Sequence, residues 1–205
     1  MGAYVPTPAD RRRHLILAAL GAAAFAVHTL LKVRDGLLPE LLWGCNVSDV
    51  ALILGFAFEW PRVVGAAFVW RVALGEPGFL AGLGSGGRYA WTSALVHLVP
   101  TVLAAFYLRR SGLPRGSAAW ALAVSLALVP LSRAWTPPDF NVNFAHRRVA
   151  FLEQAFPGRW SYRFVSVLLA GAALALVEAV GGRSLGRGTE PGSKEDRRAP
   201  HEPRA

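Results

Sequence analysis

The stretch LLPELLWGCNVSDVALILGF, residues 37–56, decides the fold class of this chain. Its two ends are apolar sequence of the kind that forms a helix in lipid, whereas its middle, from Cys45 to Asp49, carries an amide, a hydroxyl and an acid. Polar groups in the hydrocarbon of a bilayer are costly and usually face other helices. We therefore expect a membrane-spanning helix whose polar face meets partner helices.

The composition of the whole chain favours a membrane protein. Of 205 residues, 53% are hydrophobic and 17% are charged, and the mean hydropathy is +0.35. A soluble domain carries about a quarter charged residues. The apolar residues also come in blocks of roughly 17–25, the length that crosses a bilayer. The predicted fold class is all-α, a polytopic membrane helix bundle. The alternative, a large soluble helical core, is disfavoured by these block lengths and their flanking charges.

The hydropathy pattern divides the chain into three regions. An N-terminal segment covers residues 1–13, a transmembrane domain covers 14–181, and a polar tail with Gly and Pro, expected to be disordered, covers 182–205. The transmembrane domain is predicted to contain six spans and one long external loop at 134–159. The spans are 14–32, 38–58, 62–82, 91–108, 116–133 and 160–181. Within the third span, Gly75-Glu76-Pro77-Gly78 is expected to kink or break the helix.

The positive charge points to lipid rather than to nucleic acid. The net charge is +9, and the arginines stand at the ends of the apolar blocks and in the tail, as topology determinants and anionic-lipid contacts do. Six spans put twelve Lys and Arg on the side of the termini and eight on the other, so we expect both termini inside. Membrane lipids are the expected partners, and the oligomeric state is not indicated. A composition rich in Ala, Arg and Gly but poor in Lys favours a bacterial cytoplasmic (inner) membrane.

Ionisable residues inside spans are functional candidates, and their depths are predictable from the rise of an α-helix. Cys45, Glu76 and His97 lie roughly 10 Å below the outer edge of the membrane by this count. Asp49 and Arg71 share a depth of roughly 16 Å. An arginine near mid-membrane needs a partner. We therefore predict a structural ion pair between Asp49 and Arg71 that holds the second span to the third.

The matched depth of Cys45 and His97 suggests a catalytic dyad. Cys45 is the candidate nucleophile and His97 its base. Glu76 or Asp49 orients the imidazole, and Asn46 donates to a developing oxyanion. The alternative interpretation is that the cysteine is a small hydrophobic residue and the histidine an interhelical hydrogen-bond partner.

A zinc site is a rival use of the same residues. His28, Cys45 and His97, with a nearby carboxylate, are of types that bind zinc, and His146 and Asp139 of the long loop are further candidates. The sequence has no paired ligand spacing on one helix, so neither a metal nor a cofactor is predicted.

The segment TPPDFNVNFAH, residues 136–146, is the other unusual feature. Asn141 and Asn143 alternate with apolar residues as in a short extended segment, which would aim both amides the same way. One interpretation is a lid over an outer pocket that binds a lipid head group through Asn141, Asn143, His146 and Arg147. The alternative is an interfacial loop that dips into the membrane.

Six spans, Pro39-Glu40 ahead of Cys45 on the second span, and His97 on the fourth resemble the YwaF-type integral membrane protein family. Its distant relatives include transmembrane lipid acyltransferases. The resemblance covers the layout of residues 14–181. It implies a lipid substrate and assigns the chemistry to Cys45 and His97.

The sequence thus supports three functional hypotheses. The first is a membrane lipid acyltransferase or hydrolase that uses Cys45 and His97 in an outward-facing intramembrane pocket. The second is a small-solute transporter or channel-like subunit whose path is lined by Asp49, Arg71 and Glu76, because broken helices line transport sites. The third is a membrane protein without catalytic activity.

Overall fold

A computed structural model describes residues 6–84, 91–148 and 150–186, and within these ranges the chain is helical without strands. Three short elements join or precede the helices: a 3₁₀ turn at Leu38–Leu42, a π-helical turn at Arg71–Gly75 and a 3₁₀ turn at Val142–Phe144. The α-helices are α1 (Pro8–Arg34), α2 (Gly44–Ala57), α3 (Pro61–Trp70), α4 (Glu76–Gly84), α5 (Trp91–Ser111), α6 (Ser117–Trp135), α7 (Ala150–Ala155) and α8 (Arg159–Ser184).

Within the described residues, five helices are long and apolar enough to cross a membrane, which makes the chain a multi-pass membrane protein by length and composition. They are Pro8–Arg34, Pro61–Ala81, Trp91–Ser111, Ser117–Trp135 and Trp160–Ser184. The sixth apolar helix, α2, has only 14 residues.

The predicted second span is therefore not one continuous α-helix. Its first part is the 3₁₀ turn, and Trp43 then takes an extended conformation (φ −54°, ψ 138°) before α2 starts at Gly44. The Asn46 amide donates to the Glu40 carbonyl oxygen (2.8 Å), a bond that stabilises the break. A side chain that bonds nearby backbone competes with helical hydrogen bonding, so the local polar sequence shortens the helix.

Both ends of the predicted transmembrane domain are longer in the structure. The first helix begins at Pro8 because Thr7 and Asp10 form a capping box around it. The last helix runs to Ser184, so the first residues of the predicted tail are helical rather than disordered. The predicted loop at 134–159 contains the second 3₁₀ turn and α7. The rest of the tail, 187–205, and the glycine-rich connection at 85–90 lie outside the described residues.

Contacts at the two ends of the bundle show that its six main segments alternate in direction. At one end, which we call the His14 end, His14 Nδ1 lies 3.2 Å from Glu59 Oε1, and the Leu113 amide donates to the Gly186 carbonyl (2.8 Å). At the other end, the His28 end, His28 Nδ1 lies 3.2 Å from Thr92 Oγ1. α1, α3 and α6 run from the His14 end to the His28 end, and α2, α5 and α8 return.

The kink predicted near Pro77 takes the form of a widened turn rather than a break. The Glu76 N–H donates to the Arg71 carbonyl oxygen, five residues back, so α3 and α4 continue through a π turn. Pro77 lacks an N–H, and its ring clashes with the carbonyl oxygen of Ala73 in a regular α-helix. One extra residue in the turn relieves that clash. Turns of this kind occur frequently at functional sites.

Candidate functional site

The centre of the bundle is occupied by an arginine. The Arg71 side chain, on the π turn, is completely buried and is the largest of the fully buried side chains. Its guanidinium satisfies its donors within the protein. The acceptors are Asp49 Oδ1 (2.6 Å), Thr101 Oγ1 (2.7 Å), the His97 carbonyl (2.8 Å), Ser48 Oγ (3.0 Å), the Cys45 carbonyl (3.2 Å) and the Val96 carbonyl, and Glu76 Oε1 lies 3.3 Å from Nη2.

The ion pair predicted between Asp49 and Arg71 is therefore present, and both side chains are fully buried. An uncompensated buried charge is very costly, so each of these residues needs the other groups around it. We call Ser48, Asp49, Arg71, Glu76, His97 and Thr101 the Arg71 cluster. It joins α2, the π turn, α4 and α5.

A proline on α5 makes one of these contacts available. Pro100 has no N–H, so the carbonyl oxygen of Val96, four residues earlier, has no helical donor. Arg71 donates to that oxygen instead. Because the Arg71 side chain replaces the missing backbone donor, the proline is tolerated inside the span.

Glu76 connects Arg71 to His97. Its Oε2 lies 3.1 Å from His97 Nδ1, and its Oε1 accepts from Thr101 Oγ1 (2.7 Å). The other face of the imidazole is fixed by Phe79, whose ring stacks on it at 4.3 Å. Of the two carboxylates predicted to orient His97, Glu76 makes the contact. Sequence reasoning missed Thr101, although it lies four residues after His97 and so on the same helix face.

Cys45 lies in the first turn of α2, half-buried and free. Its backbone carbonyl belongs to the Arg71 site, since it accepts from Ser48 Oγ (2.6 Å) and from Arg71. Among the described residues, no hydrogen bond joins its thiol to His97, whose Nδ1 is held by Glu76. The structure thus places both residues beside the same cluster without linking them, and the dyad stays a prediction.

The other residues proposed for chemistry at Cys45 have structural partners. The Asn46 amide nitrogen, predicted to donate to an oxyanion, donates to the Glu40 carbonyl. His28 pairs with Thr92 at the His28 end. Within the described ranges, no group of three or more His, Cys, Asp or Glu side chains is placed to hold a metal ion, so the zinc alternative gains no support.

The loop after α6 folds differently from the prediction. Asn141 (φ 44°), Asn143 (φ 53°) and Phe144 (φ 54°) all have left-handed backbones, so the segment is a tight turn and the predicted extended conformation is wrong. Asparagine tolerates this conformation because its side chain bonds nearby backbone. Alternation of amides and apolar residues is therefore not evidence of a strand here.

The four loop residues predicted to bind substrate are engaged within the protein. Asn143 accepts from the Gly44 amide (2.8 Å) and donates to the Leu42 carbonyl (2.8 Å) and to Ser132 Oγ (2.8 Å), which docks the loop on the start of α2. Internal partners also hold the rest of the predicted set: Asn141 Oδ1 accepts from the amides of His146 and Arg147, His146 Nε2 lies 3.0 Å from the Thr136 carbonyl, and Arg147 reaches Asp139.

An apolar cleft opens between α2, α3 and α6. Its volume is about 240 Å³. It extends along α3 from Arg62 near the His14 end to Trp70, a length of about 12 Å, and it reaches Gly44 and Ser48 on α2. Trp120, at its edge on α6, is exposed. The far end of the cleft thus lies one residue from Cys45.

The fold and the buried cluster define the class of this chain as an all-helical, multi-pass membrane protein with an ionisable site in its interior. Comparison with protein-family models, with curated proteins and with solved structures found no match.

Proposed function

We propose that the chain crosses the bacterial inner membrane six times, with both termini in the cytoplasm. The five-residue 3₁₀ turn before α2 rises about 10 Å and the 14 residues of α2 about 21 Å, which together match a hydrocarbon core of about 30 Å. The His14 end, where Arg110 meets Asp10 and the basic turns lie, is then the cytoplasmic end.

The function that the site favours is proton-linked transport of a small solute. The observation that carries it is the charge balance of the Arg71 cluster. One guanidinium contacts two carboxylates, those of Asp49 and Glu76, and the cluster carries one excess negative charge when His97 is neutral. An unbalanced charge in a low-dielectric interior is strongly disfavoured, so a proton binds there.

The helix geometry supplies what such a site needs in order to move. Arg71 begins the π turn and Glu76 directly follows it, and discontinuous helices line the sites of many transporters. About a fifth of the Glu76 side chain is exposed, whereas the Arg71 side chain is completely buried. Proton exchange within the Arg71 cluster changes the contact between Arg71 and Glu76 of α4, and the π turn is the place where α3 and α4 move relative to each other.

The test is transport in reconstituted liposomes. Currents would be recorded under an imposed pH gradient while amino acids, sugars and carboxylic acids are supplied in turn. We expect at least one solute class to give currents driven by the gradient, and Glu76→Gln to abolish them. Glu153→Gln, on α7 and exposed, is the matched control because it removes one carboxylate far from the cluster. Gradient-driven currents that survive Glu76→Gln would contradict the proposal.

A second candidate function is lipid acyl transfer or hydrolysis at Cys45, as the resemblance to the YwaF-type family implies. The apolar cleft favours it, because a slot of about 12 Å from Arg62 to Trp70 suits one acyl chain and ends beside Gly44. In this reaction the Cys45 sulfur, deprotonated by His97, attacks the acyl carbonyl. A thioester forms, the lysolipid leaves with the proton, and water or a second acceptor releases the acyl group.

Labelling with a lipid-like electrophile separates this candidate from the first. Membranes with the native chain, Cys45→Ala and His97→Ala would be treated with the probe and analysed by mass spectrometry. The candidate requires labelling at Cys45 that falls sharply in His97→Ala. Labelling that is equal in the native chain and in His97→Ala removes the role of His97 and with it the dyad.

A further inference from the structure

Two buried side-chain oxygen atoms of α2 have no hydrogen-bond partner in the described part of the chain. Among the described residues, the buried side-chain atoms in this state are Thr29 Oγ1, Asn46 Oδ1 and Asp49 Oδ2. The hydroxyl of a threonine in a helix can rotate toward the carbonyl oxygen four residues back, so the Thr29 hydroxyl has an acceptor available within α1. Asn46 and Asp49 lie three residues apart on one face of α2, where side chains are neighbours. Both residues are almost completely buried.

Neighbouring bonds fix which atoms are unpaired. The Asn46 amide nitrogen donates to the Glu40 carbonyl, so the amide cannot be turned round without losing that bond, and its oxygen points away from Glu40. The Asp49 Oδ1 atom accepts from Arg71, which leaves Oδ2 as the unpaired atom. Both unpaired atoms are acceptors, and burial of an acceptor without a hydrogen-bond donor is unfavourable. One hydrogen between them would satisfy both.

The charges around Asp49 also favour a proton on its Oδ2 atom. Arg71 on the π turn supplies one positive charge, and Glu76 on α4 supplies a carboxylate that contacts both Arg71 and His97 of α5. On α1, Lys32 is paired with Glu40 of the 3₁₀ turn, and His28 Nδ1 lies 3.2 Å from the hydroxyl oxygen of Thr92. Neither carboxylate oxygen of Glu76 is an unpaired buried atom. The excess proton of the cluster is therefore best placed on Asp49, after which Arg71 and Glu76 balance each other.

We propose that Asp49 is a proton-binding site whose Oδ2–H donates to the Asn46 side-chain oxygen. Asp49 Oδ1 remains an acceptor for Arg71 in this state. Loss of the proton gives Asp49 a full negative charge beside Arg71, which draws the guanidinium toward α2 and away from Glu76. The assignment of the proton rests on the two unpaired oxygen atoms and on the charge balance of the Arg71 cluster; its role in a transport cycle rests on the proposed function.

Infrared spectroscopy of the full chain in micelles of a glycoside detergent, which contains no carbonyl group, tests the assignment. A protonated carboxylic acid has a carbonyl stretch well separated from that of a carboxylate. We expect such a band at neutral pH in the native chain and its loss in Asp49→Asn. Glu76→Gln should also lose it, because Arg71 and an ionised Asp49 then balance each other, whereas the exposed control Glu153→Gln should keep it. Asn46→Leu, which removes the acceptor, is expected to move the band to higher frequency because its O–H loses a hydrogen bond.

Each other outcome overturns the proposal. Absence of the band in the native chain means that Asp49 is ionised, with a water molecule between the two oxygens instead of a proton. A band that remains in Asp49→Asn belongs to another carboxyl group. Either result leaves the proposed transport function standing if Glu76→Gln still abolishes gradient-driven currents, so failure of the proton assignment and failure of the transport proposal are distinguishable.

Discussion

Arg71 Nη1 lies 2.6 Å from Asp49 Oδ1, and neither side chain has any solvent exposure. The two residues belong to different helical segments, so this contact fixes α2 against the π turn between α3 and α4. The rest of the guanidinium is bonded to α5 through Thr101 and the carbonyls of Val96 and His97. One side chain thus holds three parts of the bundle together.

Replacing Arg71 by Met is expected to destabilise the protein by about 3–5 kcal/mol, because the substitution leaves Asp49 and Glu76 without their common cation. Adding Asp49→Leu to Arg71→Met should recover part of the loss, since it removes one of the two stranded carboxyls. Chemical unfolding in detergent micelles measures both. Arg163→Met, on the exposed part of α8, is the matched control and should stay within about 0.5 kcal/mol of the native chain. Additive effects of the two substitutions would show that the pair does not couple the segments.

The position of this ion pair was predictable from sequence because depth in a span follows from residue count. A fixed rise per residue placed Asp49 and Arg71 at one level, and the same count placed Glu76 beside His97. The residue count gives the depth of a side chain in the membrane. It does not give the direction in which the side chain points, because that direction turns about 100° around the helix axis with each residue. Cys45 and His97 were matched in height, yet their side chains are not hydrogen-bonded to each other in the structure.

The elements that could not be predicted depend on contacts between distant parts of the chain. The break before α2 is stabilised by Asn46 and by Asn143, which bonds Leu42 and Gly44 across about a hundred positions of sequence. Pro77 predicted an irregularity in the third span, but a proline alone does not determine whether the helix breaks there or widens into a π turn. Pro100 could have predicted part of the site, because a proline inside a span leaves the carbonyl oxygen four residues earlier without its helical donor, and another donor must bind it.

Gly44 is expected to tolerate no side chain. A Cβ at Gly44 would collide with the ring of Trp70, which also lies against Gly75 and donates to Ser125 Oγ (2.9 Å). Gly44→Ala should therefore cost about 1–3 kcal/mol, the usual cost of overpacking a rigid site. Gly78→Ala is the control, because nothing lies within 4 Å of a Cβ there. Thermal unfolding in micelles compares the two, and equal melting temperatures would contradict the close approach of Trp70.

Asn143→Ala should release the loop after α6 from the start of α2. Three hydrogen bonds are lost, and the amide of Gly44 loses its acceptor. We expect a loss of about 1–3 kcal/mol and faster hydrogen exchange at residues 42–46. Asn143→Gly separates the two effects of this residue, since glycine adopts the positive φ freely but supplies no side-chain bonds. Unchanged exchange at residues 42–46 in both variants would mean that the loop does not brace α2.

Glu178 is expected to hold the start of α6. From α8, its two carboxylate oxygens accept from the backbone amides of Gly116 (2.9 Å) and Ala118 (2.6 Å), which have no helical acceptor in the first turn. The negative charge also suits the positive end of the helix. Glu178→Ala should cost about 0.5–2 kcal/mol, as the loss of an N-cap does. It should also speed hydrogen exchange at residues 116–120 without changing exchange at Arg71. Glu178→Gln keeps one acceptor oxygen and should fall between the native chain and the Ala variant. If Gln and Ala behave alike, the bond that Gln keeps contributes nothing by itself and the ionised carboxylate is required, whereas no change in either variant would remove Glu178 as the cap.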